Sequence, residues 1–231
     1  MTENQAEKKM RRVRSFMRRD GRISELQRRA LNEVLPKYQL KLIDGKRSTL
    51  EMFGRAGDLY VEIGFGNGQV LLDLAERYPE NNYIGIEVYN AGIASLMLGI
   101  ERLGLENVRV FCVDAVDVFR CTIDEKSVSG VMLYFPDPWP KTRHHKRRLV
   151  QQPFIDLVVS RLTEGGFWHM ATDWQNYAEH MMREMSARQD FVSANGEGLY
   201  YAGNTTRPLT RFEQKGFDQG HVTRELLFFK S

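Results

Sequence analysis

Short apolar runs alternate with segments of helical periodicity along most of the chain, and this alternation limits the fold more than any other feature. Each run has the length of a strand, and the segments between the runs carry apolar residues at helical spacing. Strand, helix and strand in regular succession predict a parallel sheet with helices on both faces, which is an α/β fold. The predicted strands are residues 59–63, 83–88, 108–113, 128–135 and 167–171.

Three further segments extend this pattern. A helix is predicted from about Ser24 to Leu35, ending before Pro36, because proline favours a helix end. Residues 195–220 are expected to be rich in loops, and the apolar run 225–229 is expected to close the sheet as an antiparallel strand. A stripe of aromatic and Met residues is predicted to be core rather than a cofactor site. Its members are Trp174, Tyr177, Met181, Met182 and Met185.

Charge is unevenly distributed along the 231 residues. Residues 1–29 hold ten Lys or Arg and four Asp or Glu, whereas the rest of the chain is slightly acidic. We therefore predict a flexible basic arm, residues 1–23, a single domain, residues 24–231, and a polyanionic partner. The arm lacks the apolar segment of a secretory signal, so a cytoplasmic location is expected.

The two cysteines, Cys112 and Cys121, form no Cys-x-x-Cys pair, which argues against a zinc site.

The first predicted strand leads directly into the sequence Glu62-Ile63-Gly64-Phe65-Gly66-Asn67-Gly68. Glycines at such a point allow a sharp turn and let a ligand approach the backbone and the next helix. The spacing departs from the Gly-x-Gly-x-x-Gly of dinucleotide-binding proteins, and an acid before the loop disfavours a pyrophosphate. Glu87 and Asp114 end the next two strands, where they suit a ribose and an adenine amino group. These features favour S-adenosylmethionine over NAD.

A second motif, Pro136-Asp137-Pro138-Trp139-Pro140, follows the fourth predicted strand. After it comes the basic segment, residues 141–148, with five Lys or Arg, two His and no acid. A rigidly held carboxylate beside a run of cations suits binding of a nucleobase and its phosphates. Trp139 is either a base-stacking residue or a packed anchor of the loop. Adjacent histidines cannot easily share one ion, so no metal is predicted.

These motifs closely resemble those of the bacterial tRNA (guanine-N7-)-methyltransferase family. The resemblance extends from about Arg14 to the C-terminus and includes Gly85-Ile86-Glu87, Thr172-Asp173 and the Thr-Arg-Phe-Glu-Gln-Lys-Gly of residues 210–216. It implies a Rossmann-like class I methyltransferase fold with a mostly parallel seven-stranded sheet. It also implies transfer of a methyl group from S-adenosylmethionine to N7 of guanine at position 46 of tRNA.

The resemblance and the glycine loop together assign roles to individual residues. The implied S-adenosylmethionine site consists of Glu62, Gly64, Gly66, Gly68, Glu87, Asp114 and Asp137, and Asp137 is also the implied catalytic residue. The implied substrate contacts are Lys141, Asp173, Thr210, Arg211, Phe212 and Glu213. The implied RNA contacts are Arg143, His144, His145, Lys146, Arg147 and Arg148.

Other activities stay open at this point. The Asp-Pro-Trp sequence is similar to the Asp-Pro-Pro-aromatic motif of methyltransferases that act on an exocyclic amine. An NAD-dependent oxidoreductase and a non-catalytic RNA-binding module are two further alternatives, which the glycine spacing and the set of acidic strand ends disfavour. The sequence is compatible with a monomer or a homodimer, and no obligate protein partner is inferred.

Overall fold

A seven-stranded mixed sheet forms the centre of the computed structural model, which describes residues 15–16, 21–43, 45–203, 207–209 and 211–231. The strand order is β3-β2-β1-β4-β5-β7-β6, and the pairings from β3 to β5 are parallel, whereas β7 runs antiparallel to both neighbours. The mostly parallel sheet and the reversed strand near the C-terminus confirm the predicted fold class. The strands are β1 Leu59–Ile63, β2 Asn82–Ile86, β3 Val108–Phe111, β4 Val128–Tyr134, β5 Leu162–Thr172, β6 Phe191–Ser193 and β7 Arg224–Lys230.

Helices fill the connections between successive strands and cover the sheet. The α-helices are α1 Glu25–Arg29, α2 Leu35–Tyr38, α3 Thr49–Phe53, α4 Gln69–Arg77, α5 Asn90–Leu103, α6 Ala115–Cys121, α7 Gln152–Arg161, α8 Gln175–Ser186 and α9 Arg211–Asp218. A π-helical turn, Ala30–Val34, joins α1 to α2, and a 3-10 helix, Thr142–Arg147, precedes α7.

The helix near Pro36 differs from the prediction, because it continues to Tyr38 instead of ending before the proline. The π-helical turn supplies the reason. There the backbone N–H of Leu35 bonds to the carbonyl of Ala30, five residues back. Pro36 then falls in the first turn of α2, where its missing N–H costs no hydrogen bond.

The structure has two elements, β6 and α9, that were not predicted, and both lie in or next to residues 195–220, which were expected to be rich in loops. Strand β6 has only three residues, which is too short for an alternating pattern to be visible. Helix α9 lies inside residues 195–220, where Gly216 interrupts the helical pattern. Strand β5 also begins five residues earlier than predicted, at Leu162, and its pairing with β4 shifts register between Val128 and Gly130.

The predicted core stripe on α8 is confirmed for its inner members. Tyr177, Met181 and Met185 are fully buried and pack against the sheet with the fully buried Trp168. Trp174 is the exception, because it precedes the helix and is 42% exposed. Across the described ranges, no helix combines the length and the apolar character needed to cross a membrane.

Candidate active site

A cavity of about 370 Å³ opens at the carboxyl ends of the central parallel strands. This edge is where ligands bind in open α/β sheets, because neighbouring strands there end in loops that diverge. Four of the predicted site residues, Gly64, Glu87, Asp114 and Asp137, lie on its wall. The sheet thus brings together residues that are up to 73 positions apart in the sequence, from Gly64 to Asp137.

The glycine loop turns through backbone conformations that favour glycine. Gly64, Gly66 and Gly68 have φ angles of 71°, 55° and 78°. A β-carbon added at Gly64 or Gly66 would meet nothing within 4 Å, whereas one at Gly68 would lie 2.6 Å from Leu96 Cδ1. The first two glycines therefore leave space beside the backbone, and the third allows the loop to pack on α5.

Gly92, on α5, is a residue that the sequence reasoning missed. A β-carbon there would lie 2.1 Å from the carbonyl oxygen of Gly66. Only glycine at this position lets the helix support the loop so closely. A glycine two residues into an amphipathic helix was the available signal, but it has no partner visible in the sequence.

Glu87 fastens the glycine loop to the end of β2. One carboxylate oxygen accepts a hydrogen bond from the backbone N–H of Gly66 at 3.1 Å. The other accepts from Val88 at 2.7 Å and Tyr89 at 3.1 Å. Burial raises the pKa of Glu87, and these three N–H groups oppose that shift by stabilising the charged form. The carboxylate is thus held in a fixed orientation at the cavity wall.

Glu62 does not lie on the cavity wall, in contrast to the other predicted acids. Its side chain is buried, with 3% exposure, and its Oε2 has no hydrogen-bond partner among the described residues. Burial, with a smaller contribution from the nearby Glu87, raises the pKa of Glu62 to about 8. At neutral pH the group therefore holds its proton, and it supplies negative charge only when a cation lies beside it.

This shift predicts how stability depends on pH. Between pH 4.5, the ordinary pKa, and about pH 8, the folded protein keeps a proton at Glu62 that the unfolded chain releases, so stability falls as pH rises through this window. Replacing Glu62 by Gln should remove this loss and raise the free energy of unfolding at pH 8.5 by on the order of 5 kcal/mol. Urea unfolding between pH 4 and 9 measures it.

The exposed Glu76 on α4 provides the control, since Glu76→Gln should leave the pH profile of unfolding unchanged. Wild-type stability that is flat between pH 4.5 and 8, or equally steep in Glu62→Gln, would contradict the assignment.

Asp114 caps α6, an element that was not predicted. Its Oδ1 accepts a hydrogen bond from the backbone N–H of Val116 at 3.0 Å. This local bond is the standard one for an Asp at a helix N-terminus and holds the carboxylate at the cavity.

The Pro136–Pro140 loop leaves β4 through unusual backbone conformations. Phe135 and Trp139 have φ angles of 51° and 48°, which cost energy for residues other than glycine. The Phe135 N–H donates to the carbonyl of Ala171 at 2.8 Å, so the loop starts from a fixed point on β5. Between the two strained residues, the exposed Asp137 projects at the cavity.

Trp139 is a packed anchor of this loop rather than a base-stacking residue. It is only 7% exposed, and its Nε1 donates to the carbonyl of Ser15 at 3.0 Å. The guanidinium carbon of Arg147 lies 3.7 Å from its ring centroid and covers one face. Ser15 and Phe16, which the sequence assigned to the flexible arm, lie on the cavity wall. Residues 1–14 and 17–20 of that arm lie outside the described residues.

The basic segment 141–148 divides into outward and inward cations. Lys141, Arg143 and Lys146 are exposed. Arg148 was predicted to contact RNA, but it is 4% exposed, donates to Pro138 O and Asn176 Oδ1, and lies over the Tyr177 ring. In this structure the guanidinium holds the Pro136–Pro140 loop to α8, and an RNA contact by Arg148 stays a prediction.

Three further residues of the segment, Arg147, His144 and His145, also make contacts within the protein. Arg147 Nη2 donates to the carbonyl of Phe16 at 3.1 Å, and the ring of His144 packs edge-on against Trp139. The carbonyl of His145 accepts from Gln151, which ties the 3-10 helix to the start of α7. These contacts leave the three exposed cations as the outer surface of the segment.

The predicted substrate contacts near the C-terminus are only partly described. The carboxylate of Asp173, at the end of β5, accepts a hydrogen bond through Oδ2 from His221 Nδ1 at 3.0 Å. Thr210 lies outside the described residues, as do the side chains of Arg211 and Phe212. Glu213 is 4% exposed, and both of its carboxylate oxygens bind the guanidinium of Arg207, at 2.5 and 2.7 Å. The prediction that Glu213 contacts substrate is therefore not supported in this conformation.

Arg207 is the centre of a buried polar network that the sequence reasoning missed. Its Nη2 also donates to Glu225 on β7 at 2.5 Å, and the other carboxylate oxygen of Glu225 bonds to His169 on β5 at 2.7 Å. His169 in turn bonds to the hydroxyl of Tyr134 at 3.0 Å. The network joins the segment before α9 to three strands and places it beside the end of β4.

Comparisons with known proteins agree with this architecture. A family model described as a putative methyltransferase matches residues 56–226. The tRNA (guanine-N(7)-)-methyltransferase of Hydrogenovibrio crunogenus is 46% identical over 94% of this chain and 91% of its own length. The enzyme of the same name from Marinobacter nauticus is 44% identical over 95% and 92%.

Solved structures resemble the chain in fold at low sequence identity. The 16S rRNA methyltransferase KamB aligns with a TM-score of 0.57 and 13% identity, covering 83% of this chain and 100% of that one. An rRNA methylase from Streptococcus thermophilus aligns with a TM-score of 0.51 and 13% identity over 75% and 87%. The sheet order and these likenesses show the Rossmann-like fold of class I methyltransferases.

Proposed function

Because this chain belongs to the tRNA (guanine-N(7)-)-methyltransferase family, we infer that it transfers a methyl group from S-adenosylmethionine to N7 of a guanine in tRNA, and we propose that this guanine is at position 46. The observation that carries the inference is 46% identity along 94% of the chain to an enzyme of that name. The tRNA substrate would place the enzyme in the cytoplasm. The predicted basic arm, residues 1–23, would extend its contact with the RNA.

The described residues suit this cofactor chemically. When bound, the cofactor supplies a methyl group on a positively charged sulfur. Glu87 is held at the end of β2, where a carboxylate suits a ribose diol, and Asp114 is held at the end of β3 near the adenine position. The buried Oε2 of Glu62, which lacks a partner among the described residues, suits the ammonium of the methionine moiety. Gly64 and Gly66 leave room for close approach to the backbone.

Asp137 is the residue to which we assign orientation of the guanine. N7 of neutral guanine carries a lone pair and no proton, so the reaction needs no general base. A carboxylate accepting hydrogen bonds from N1 and the N2 amino group would fix the ring and stabilise the positive charge that the base acquires. The strained residues on either side, Phe135 and Trp139, and the two flanking prolines restrict where this carboxylate can lie.

The assignment of atom and position has a direct test. The protein is incubated with S-adenosylmethionine and unmodified tRNA transcripts that carry guanine or adenine at position 46, and the digested RNA is analysed by mass spectrometry. We expect 7-methylguanosine only from the first transcript. Methylation of an exocyclic amine would contradict the proposed atom, and 7-methylguanosine from both transcripts would contradict the position.

The division of the basic segment gives a second prediction. Replacing the exposed Lys141 and Arg143 by Ala should weaken tRNA binding and reduce the slope of log K against log salt by about two, one for each lost phosphate contact. Replacing the buried Arg148 by Ala should instead destabilise the fold, since it removes two hydrogen bonds. Fluorescence anisotropy at several salt concentrations and urea unfolding measure the two effects. An Arg148→Ala variant with native stability and a reduced salt slope would show that Arg148 binds RNA instead of stabilising the fold.

A further inference from the structure

A second cavity, of about 210 Å³, lies beside the candidate active site. The two cavities share Ser15, Asp114 and Leu149 as wall residues. The second one is bounded by α6, by the end of the 3-10 helix and by the start of α7. A ligand group held there would be separated from the site at the strand ends by these shared wall residues.

The wall of this second cavity is strongly cationic. Arg120, Lys146, Arg147 and Arg148 contribute to it, against the single carboxylate of Asp114. That carboxylate already accepts the Val116 N–H as the cap of α6. The inner two arginines are bound to the Pro136–Pro140 loop and to Phe16, as described above.

Arg120 and Lys146 are the two cations of this wall that remain exposed. Within the described ranges, neither side chain forms an ion pair. They come from different elements, α6 and the 3-10 helix, so the fold rather than a run of sequence brings them to the same cavity. Two exposed cations on one cavity wall, neither in an ion pair among the described residues, favour an anion between them.

The start of α7 adds to the positive potential. Gln151, Pro153 and Phe154 lie on the wall, so this ten-residue helix begins at the cavity. Its N-cap, Gln151, makes no side-chain cap hydrogen bond and instead donates to the carbonyls of His145 and Arg148. No acid lies in the first turn of the helix. The helix dipole therefore acts in the same direction as the two cations.

We propose that this cavity binds one backbone phosphate of the tRNA, gripped jointly by Arg120 and Lys146. The proposal rests on the function proposed above, since it takes the RNA to be the substrate. Its role is to fix the position of the strand relative to Asp137, because a phosphate contact sets register without reading sequence. Arg120 lies outside the basic segment and becomes part of the RNA surface only through the fold.

The test uses the full-length Arg120→Ala and Lys146→Ala variants and the double variant, with unmodified tRNA. If both side chains grip the same phosphate, each single variant should bind about tenfold more weakly. The double variant should reduce the slope of log K against log salt by about one rather than two. The exposed Arg102 on α5 is the control for the loss of a surface charge. Arg102→Ala should have the tRNA affinity and the salt slope of the wild type.

A scan of neutral methylphosphonate linkages near the target guanine then locates the contact. One linkage should weaken binding by the wild type and have no effect on binding by the double variant. A wild-type salt slope in the double variant, or a slope reduced there by two, would overturn the joint grip. Weaker binding of S-adenosylhomocysteine with unchanged tRNA binding would assign the cavity to the cofactor instead. Failure of the wild type to form 7-methylguanosine would count against the proposed function and not specifically against this cavity.

Discussion

Replacing Asp137 by Ala should lower kcat by about 10²–10³-fold while leaving the Kd for tRNA nearly unchanged. The carboxylate lies at the cavity between two residues with positive φ, and the chain there leaves β4 at a point fixed to β5. Its proposed hydrogen bonds to the guanine strengthen as the base becomes positively charged. Removing an interaction that strengthens towards the transition state lowers kcat and leaves the binding of the ground state nearly unchanged.

Asp58 is the matched control for this variant. It is exposed and precedes β1, at the opposite edge of the sheet from the cavity, so Asp58→Ala should behave as the wild type in single-turnover kinetics. The account would be contradicted if Asp137→Ala raised KM for tRNA with an unchanged kcat, because Asp137 would then contribute only to binding.

Replacing Arg207 by Met should destabilise the folded protein by about 3–5 kcal/mol. The guanidinium lies between the carboxylates of Glu213 and Glu225, and all three side chains are largely buried. Removing the cation leaves two buried carboxylates without their main partner, which is far more costly than losing an exposed pair. The midpoint of urea unfolding measures the change.

Two further variants separate the buried cluster from ordinary ion pairs. The double variant Arg207→Met with Glu213→Gln should recover part of the lost stability, since one buried charge is removed with its partner. Arg77, which pairs with Asp73 on the surface of α4, is the control, and Arg77→Met should leave the midpoint of urea unfolding close to that of the wild type, because an exposed ion pair contributes little. Equal effects of Arg207→Met and Arg77→Met would show that the network does not hold the segment before α9.

The acids at the strand ends were predictable because their positions follow from local rules. Each of Glu87 and Asp114 lies at the end of an apolar run, and parallel strands place their carboxyl ends at one edge. The same rules placed Asp137 there, since it follows the fourth run. The antiparallel β7 and the core face of α8 were also predictable, because both lie in apolar patterns, whereas the strand order came only from the structure.

Contacts between distant side chains were not predictable from the sequence. The basic segment shows Arg148 and Lys146 as equivalent cations, and only the packing of Tyr177 and Asn176 makes Arg148 internal. Arg207 lies in a stretch without a motif, and its partner Glu225 lies 18 positions away on β7. Glu62 was expected to present a charge, but burial keeps its proton in place. Burial and partner choice depend on tertiary structure, which hydrophobic patterns do not encode residue by residue.

A crystal structure of the protein with S-adenosylhomocysteine tests the central claim most directly. The account predicts that the ligand occupies the cavity between the Gly64–Gly68 loop and Asp137, with its ribose on Glu87, its adenine beside Asp114 and its ammonium towards Glu62. A ligand bound outside this cavity, or bound there with its sulfur turned away from Asp137, would contradict it.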